Sequence, residues 1–121
     1  MGGRGASMGM IHRVPNAAGA FIHENKITRF CLDPNGKHYQ DFIDVGYSSD
    51  DPERLKNDLL NGLQTHDAEV FQDTTHGAIR YHVDMPLGVK KKRRFRTSWR
   101  VDPGSTTPRF ITAFRIKEDR K

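Results

Sequence analysis

Three places in this chain carry side chains able to move protons or hold an anion. They are Lys37 and His38 in Asn35-Gly36-Lys37-His38, the pair Arg80 and His82, and the run KKKRRFRTSWR from Lys90 to Arg100. That run holds seven cations in eleven positions. Between Ile79 and Ile116, ten basic residues stand against only Asp84 and Asp102, so this third of the chain carries about +8. The whole chain is +5, which leaves about −3 for the remainder. Charge this localised, with aromatics interleaved, is the footprint expected for a polyanion such as RNA. The plainer alternative is a solvated hairpin loop whose charge serves solubility.

The absences narrow the chemistry. There is no Gly-rich phosphate loop, no His-Glu zinc helix, no carboxylate cluster for paired magnesium ions and no serine elbow. The six histidines are scattered without ligand spacing. The pattern therefore calls for no metal and no cofactor. Cleavage of RNA by its own 2′-hydroxyl needs little more than what is present, because the nucleophile already lies in the substrate. The protein must hold the backbone in line, spread the charge of the phosphorane and exchange protons. In that scheme Lys37, Arg80 and Arg96 stabilise the phosphorane, His82 or His38 moves protons, and Thr97 with Thr112 positions the phosphate. Cationic neighbours should keep the His82 pKa low and the ring neutral at pH 7. Lys90, Lys91, Lys92, Arg93 and Arg94 would grip flanking phosphates, with Arg100 and Arg109 beside them and Trp99 as a stacking platform.

Each of these residues also has a structural reading. His82 can be a solvated strand residue and Lys37 a surface lysine. Thr97 and Thr112 are ordinary strand formers, and Trp99 is a natural core residue. Cys31 reads as a small buried hydrophobe beside Phe30 and Leu32. A lysine at a helix start opposes the dipole, which a bound anion would offset.

These groups must be held by a scaffold. Tyr39, Phe42 and Ile43 have helical spacing, with Gly46 as a stop and Tyr47 folding back. A clearer helix follows, with Asp51 as its cap, Pro52 at its first position and an apolar stripe of Leu55, Leu59, Leu60 and Leu63. His66 lies just past its end, suited to the dipole. After Asp67 the chain reads as strands. Ala68 to Asp73 is followed by the turn Thr74-Thr75-His76-Gly77, with His76 exposed. Ala78 to Met85 places Ile79, Tyr81, Val83 and Met85 on one face and Arg80, His82 and Asp84 on the other. Phe95 to Val101 does likewise, with Phe95, Thr97, Trp99 and Val101 opposite Arg94, Arg96, Ser98 and Arg100. Arg109 to Ile116 is apolar on both faces, as a central strand would be. The expected fold is α+β: two helices packed on one face of a four-stranded antiparallel meander, spanning residues 25–118. Residues 1–24, rich in Gly and Ala, read as a flexible linker, and Lys90 to Arg93 as a mobile loop. A cationic sheet face cannot be a core.

One domain and one modest core are what 121 residues allow. A single cysteine excludes an internal disulfide. No run approaches a membrane span, and the N-terminus lacks the apolar core of a secretory signal. The expectation is a cytoplasmic monomer without a membrane partner.

The segment LDPNGKHYQDFIDVGYSSDDPERLKNDLL resembles the front half of a bacterial domain found at the C-termini of polymorphic toxins. RFRTSWRVDPGSTTPRFITAFRI resembles its closing strands, with Thr-x-Trp, Pro-Arg and Thr-Ala-aromatic. The stretch MGGRGASMG is similar to the region before fused toxin modules in phage head-morphogenesis proteins. The resemblance implies membership of the barnase–EndoU–colicin–RelE-like group of metal-independent ribonuclease toxins. It also implies active residues on the open sheet face and an acidic immunity protein as partner. Its motif positions are Lys37, Thr97, Trp99, Arg109 and Thr112. The His-Pro that usually precedes the Gly-Lys of that turn is missing here, and His82 stands where relatives are expected to be apolar. Two other readings use the same surface. One is a non-catalytic nucleic-acid-binding module stacking bases on Trp99 and Phe114. The other is a basic adaptor for an acidic protein.

Overall fold

The computed structural model describes residues 6–11, 13–73 and 77–117. Strand β1 (Ala6–Ile11) leads through a single 3-10 turn to a short helix α1 (Glu24–Lys26), which continues as a π-helical turn over Ile27–Cys31. Helices α2 (Tyr39–Asp44) and α3 (Pro52–Thr65) follow, then strands β2 (Ala68–Asp73), β3 (Ala78–Leu87), β4 (Arg93–Val101) and β5 (Arg109–Arg115). The sheet is antiparallel with order β1-β2-β3-β4-β5. The expected α+β meander is thus present as β2 to β5, and β1 adds a fifth strand at its edge.

The helix ends follow from sequence. Tyr47 N–H donates to Phe42 O at 3.1 Å and Gly46 N–H to Ile43 O at 2.9 Å, a Schellman closure in which Gly46 takes φ 104°. In α3, Pro52 occupies the first turn, but the Asp51 side chain makes no capping hydrogen bond. Leu55, Leu59 and Leu63 are buried by α3 against the sheet. Each such side chain withdrawn from water stabilises the fold by roughly 1.5–3 kcal/mol. Gly62 permits the approach, since a Cβ there would lie 2.2 Å from Met85 Sδ of β3. Phe42, Val45, Val83, Phe95, Trp99 and Phe110 complete this core between the helices and one sheet face.

The structure corrects three expectations. The segment taken as a linker supplies strand β1, paired with β2, and its Val14, Ala17 and Ile22 are buried in the core. Of it, residues 1–5 and His12 lie outside the described chain, as do Thr74 to His76 further on. The loop expected to be mobile is tethered. Val89 N–H and Lys90 N–H both donate to Val45 O, and Gly88 N–H donates to the Tyr47 hydroxyl, which itself donates to Asp58. β5 is not central: β4 flanks one side, and among the described residues only Phe21 bridges to the other, at Arg109. Its mixed pattern has a different cause. Between Ser98 and Trp99 the register with β4 shifts from Thr112 to Phe110, so Ile111 is an extra residue. Phe110 and Ala113, three apart, both reach the core.

Candidate functional site

Alternation on β3 and β4 places Arg80, His82, Asp84, Arg94, Arg96 and Arg100 opposite the core, as expected. Cross-strand rows then decide what each cation meets. Arg96 stands opposite Asp84 and grips it with two hydrogen bonds, from Nε at 2.9 Å and NH2 at 3.1 Å. Arg94 adds a 3.5 Å contact to the same carboxylate. Further along, Arg109 holds Asp102 through bonds of 2.7 and 3.2 Å, and Arg100 lies 3.0 Å from it. The two guanidinium neighbours hold the Asp102 carboxyl below its ordinary range, the Arg109 hydrogen bond contributing most. Two acidic residues therefore neutralise much of a face that looks basic by count.

Thr97 and Trp99 do not belong to that face. Both are fully buried on the helix side. The Thr97 hydroxyl donates to Val83 O at 2.7 Å and accepts from Trp99 Nε1 at 2.8 Å, so its hydrogen bonding is internal. Trp99 packs edge-on against Phe110. Neither can touch a phosphate or a base, which corrects their assignment as site residues. The physical reason is the polar handle: an indole buried in a core needs an acceptor, and Thr97 is that acceptor.

His82 sits in a hollow of about 240 Å³ with His66, Asp67, Glu69, Asp84, Arg94 and Arg96. Its ring lies 4.5 Å from that of Phe71. Its pKa is lowered from the ordinary imidazole value, first by burial and then by Arg96 and Arg80, against the pull of Glu69 and Asp84. The imidazole is neutral at pH 7, but three carboxylates share its hollow.

A different setting surrounds Lys37 and His38. They line two adjoining hollows beside the outer edge of β5. One, of about 460 Å³, is ringed by Lys37, His38, Arg96, Arg115 and Lys117, with Asp41 as its acidic member. The other, of about 430 Å³, runs over Ile111 to Phe114 and is walled by Phe30, Cys31 and Phe42. His38 precedes α2, and its ring stacks at 5.4 Å on Phe114. Its Nδ1 faces Asp41 Oδ2 at 3.7 Å, on the adjacent turn of the chain. Asp41 is itself fixed, accepting the Arg115 backbone N–H at 3.2 Å. The carboxylate is thus held on the Nδ1 side of the ring, on the side away from Nε2. Among the described residues, no hydrogen bond engages His38 Nε2.

Of the sequence-derived site, the structure brings Lys37 and His38 together with Arg96 in the first hollow and with Thr112 in the second. It leaves Arg80 and His82 further across the sheet. Lys90, Lys91, Lys92, Arg93 and Arg94 are exposed at the β3–β4 turn, the end of the sheet at which Arg94 O accepts the Ile116 N–H. Asp41, Arg115 and Lys117 join it without having been singled out from sequence, and Phe114, expected only as a stacking residue of a binding module, lies beside them. The i, i+3 spacing of His38 and Asp41 was the available signal, obscured by reading that helix only for its apolar face. Burial pushes the Cys31 thiol up to about 12, despite the nearby Lys26, so it remains an uncharged wall of the second hollow. Among the described residues, no group of His, Cys, Asp and Glu is arranged to hold a metal ion, and no helix is long and apolar enough to cross a membrane.

A family model described as a domain of unknown function, DUF6883, matches residues 13–117. No curated protein and no solved structure matches the chain.

Proposed function

The chain belongs to the DUF6883 family, a domain of unknown function, and from the geometry at its β5 edge we propose that it is an RNA endonuclease acting through the substrate's own 2′-hydroxyl. The observation that carries this reading is the cationic hollow in which a histidine beside Asp41 meets Lys37, Arg115 and Lys117. The phosphodiester lies among those cations. His38 Nε2 takes the proton of the 2′-hydroxyl, and its oxygen attacks phosphorus. The bond to the 5′-oxygen breaks, leaving a 2′,3′-cyclic phosphate, and water protonates the departing oxygen. Lys37 shares the negative charge of the phosphorane. Arg96 contributes at reduced strength because Asp84 already occupies its fork. The proton carrier is therefore His38 and not His82, and Thr97 and Trp99 leave the scheme. The tethered lysine loop provides sequence-independent grip on flanking phosphates.

The likeness of the front and closing segments to C-terminal toxin domains supports a cytotoxic role inside a bacterial cell, with an acidic protein as the neutralising partner. Incubating purified protein with total RNA in EDTA should yield fragments ending in 2′,3′-cyclic phosphate. Intact RNA at high protein concentration, with binding retained, would instead establish a non-catalytic RNA-binding module.

A further inference from the structure

The turn between β3 and β4 fixes charge in place where a solvated loop would let it spread. From Pro86 to Arg94 the chain reads PLGVKKKRR, with five cations, no acidic residue and no aromatic one. Gly88 takes φ 150°, and a Cβ there would lie 1.8 Å from Lys91 O, so the turn closes tightly on its own backbone. Three successive amides are anchored beside the end of α2. Gly88 N–H donates to the Tyr47 hydroxyl at 2.9 Å, and the Val89 and Lys90 N–H groups donate to Val45 O at 2.8 and 2.9 Å. The Lys90 stem packs on Gly46, where a Cβ would lie 2.8 Å from Lys90 Cγ. Among the described residues, no carboxylate pairs with Lys90, Lys91, Lys92 or Arg93, and Arg94 reaches Asp84 only at 3.5 Å. Like charges this close repel, and an anchored backbone cannot move to relieve them, whereas a bound anion can.

The turn adjoins the cationic hollow. Ile116 N–H donates to Arg94 O at 2.9 Å, and Lys117, the next residue, lines the hollow with Arg96 and Arg115. An RNA with a phosphate in the hollow therefore meets the turn with its flank. Single-stranded flanks are held by stacking on aromatic side chains as well as by charge. The exposed aromatic residues Phe21 and Phe30 lie elsewhere, Phe21 bridging to Arg109 at the other end of β5 and Phe30 walling the second hollow. What the turn offers is charge at fixed positions, which suits phosphates that are themselves at fixed positions. A base-paired flank has such phosphates, and its bases, stacked within the helix, call for no aromatic partner. We propose that the substrate is a structured RNA, with one phosphate in the hollow and the β3–β4 turn on the phosphates of an adjoining duplex. The inference rests on the ribonuclease reading for RNA as the ligand, and it adds the class of RNA.

The test measures affinity at several salt concentrations for two uncleavable, 2′-O-methylated RNAs of equal length and composition. One is a hairpin with a single-stranded extension, and the other is a strand that cannot pair. The hairpin should bind on the order of tenfold tighter. Lys91→Gln, Lys92→Gln and Arg93→Gln together, all at exposed positions, should remove that preference and reduce the hairpin's slope of log affinity against log salt by about three. Tyr47→Phe leaves the charge unchanged and takes the anchor from Gly88, so it should narrow the preference with a smaller change in slope. Equal affinity for the two RNAs, or a preference that survives the loss of the three cations, overturns the proposal. So does a triple variant that binds both RNAs as the parent does but no longer binds polyglutamate, which would make the turn a surface for an acidic protein. Cleavage enters none of these readouts. An unmodified RNA left intact, with the hairpin preference retained, would remove the endonuclease reading and leave the structured-RNA assignment standing.

Discussion

Two hollows on this sheet share Arg96, one holding His82 with His66 and the other His38, and they differ in what else the fold sends there. Around His82 the strand rows bring Glu69 and Asp84, and Asp67, just before β2, joins them, so the guanidinium groups are largely spoken for. Around His38 one carboxylate stands among Lys37, Arg115 and Lys117. The first arrangement is a neutral imidazole within an ion-pair network, and the second is a histidine with charge left over for a ligand. A basic residue count is therefore a poor guide to a basic site. Carboxylates placed in the same cross-strand row cancel it, since opposite charges on facing residues pair.

The contrast can be broken most directly by removing each histidine. His38→Ala should lower RNA cleavage by about 10²- to 10⁴-fold, the usual contribution of a positioned base, while His82→Ala stays within about threefold. Initial rates on a defined oligonucleotide measure both, and the reverse ranking would move the site to the His82 hollow. A second, smaller effect comes from making the His82 hollow resemble the other. Asp84→Asn frees Arg94 and Arg96, and the slope of log affinity against log salt should steepen by about one, as for one added phosphate contact. An unchanged slope would show that those arginines are out of reach of the RNA.

The smallest expected effect concerns pH. The His82 pKa is lowered on folding, so the unfolded chain binds its proton more readily. The group contributes nothing to stability above its unfolded value of about 6.5 and destabilises progressively as pH falls through that value toward the folded one. His82→Gln should lose less stability than the parent between pH 7.5 and 5.5, measured by urea midpoints. Equal losses would place the titration elsewhere.

The scaffold was legible where one physical constraint acted alone. The alternation Ile79, Tyr81, Val83 against Arg80, His82, Asp84 gave β3 its register and its two faces, and Leu55, Leu59 and Leu63 marked the buried side of α3. β5 was not legible, because the extra residue Ile111 breaks the period that such a reading depends on. The N-terminal segment was misread for a related reason. Its Gly-rich composition suggests flexibility, yet pairing of β1 with β2 and burial of Val14 and Ile22 order it.

The candidate site divides in the same way. By itself, the sequence determined that Lys37 and His38 are neighbours, that the cations cluster between Arg80 and Arg115, and that β3 and β4 each turn one face from the core. These follow from adjacency and from a period of two. Only the tertiary structure decided that Thr97 is the acceptor for a buried indole, that Asp84 and Asp102 occupy the arginines, and that Asp41 joins His38 to the edge of β5. Those outcomes depend on which residues meet across strands and across some 74 positions of chain between Asp41 and Arg115. Pairing over such distances is set by packing of the whole core, which no local pattern encodes.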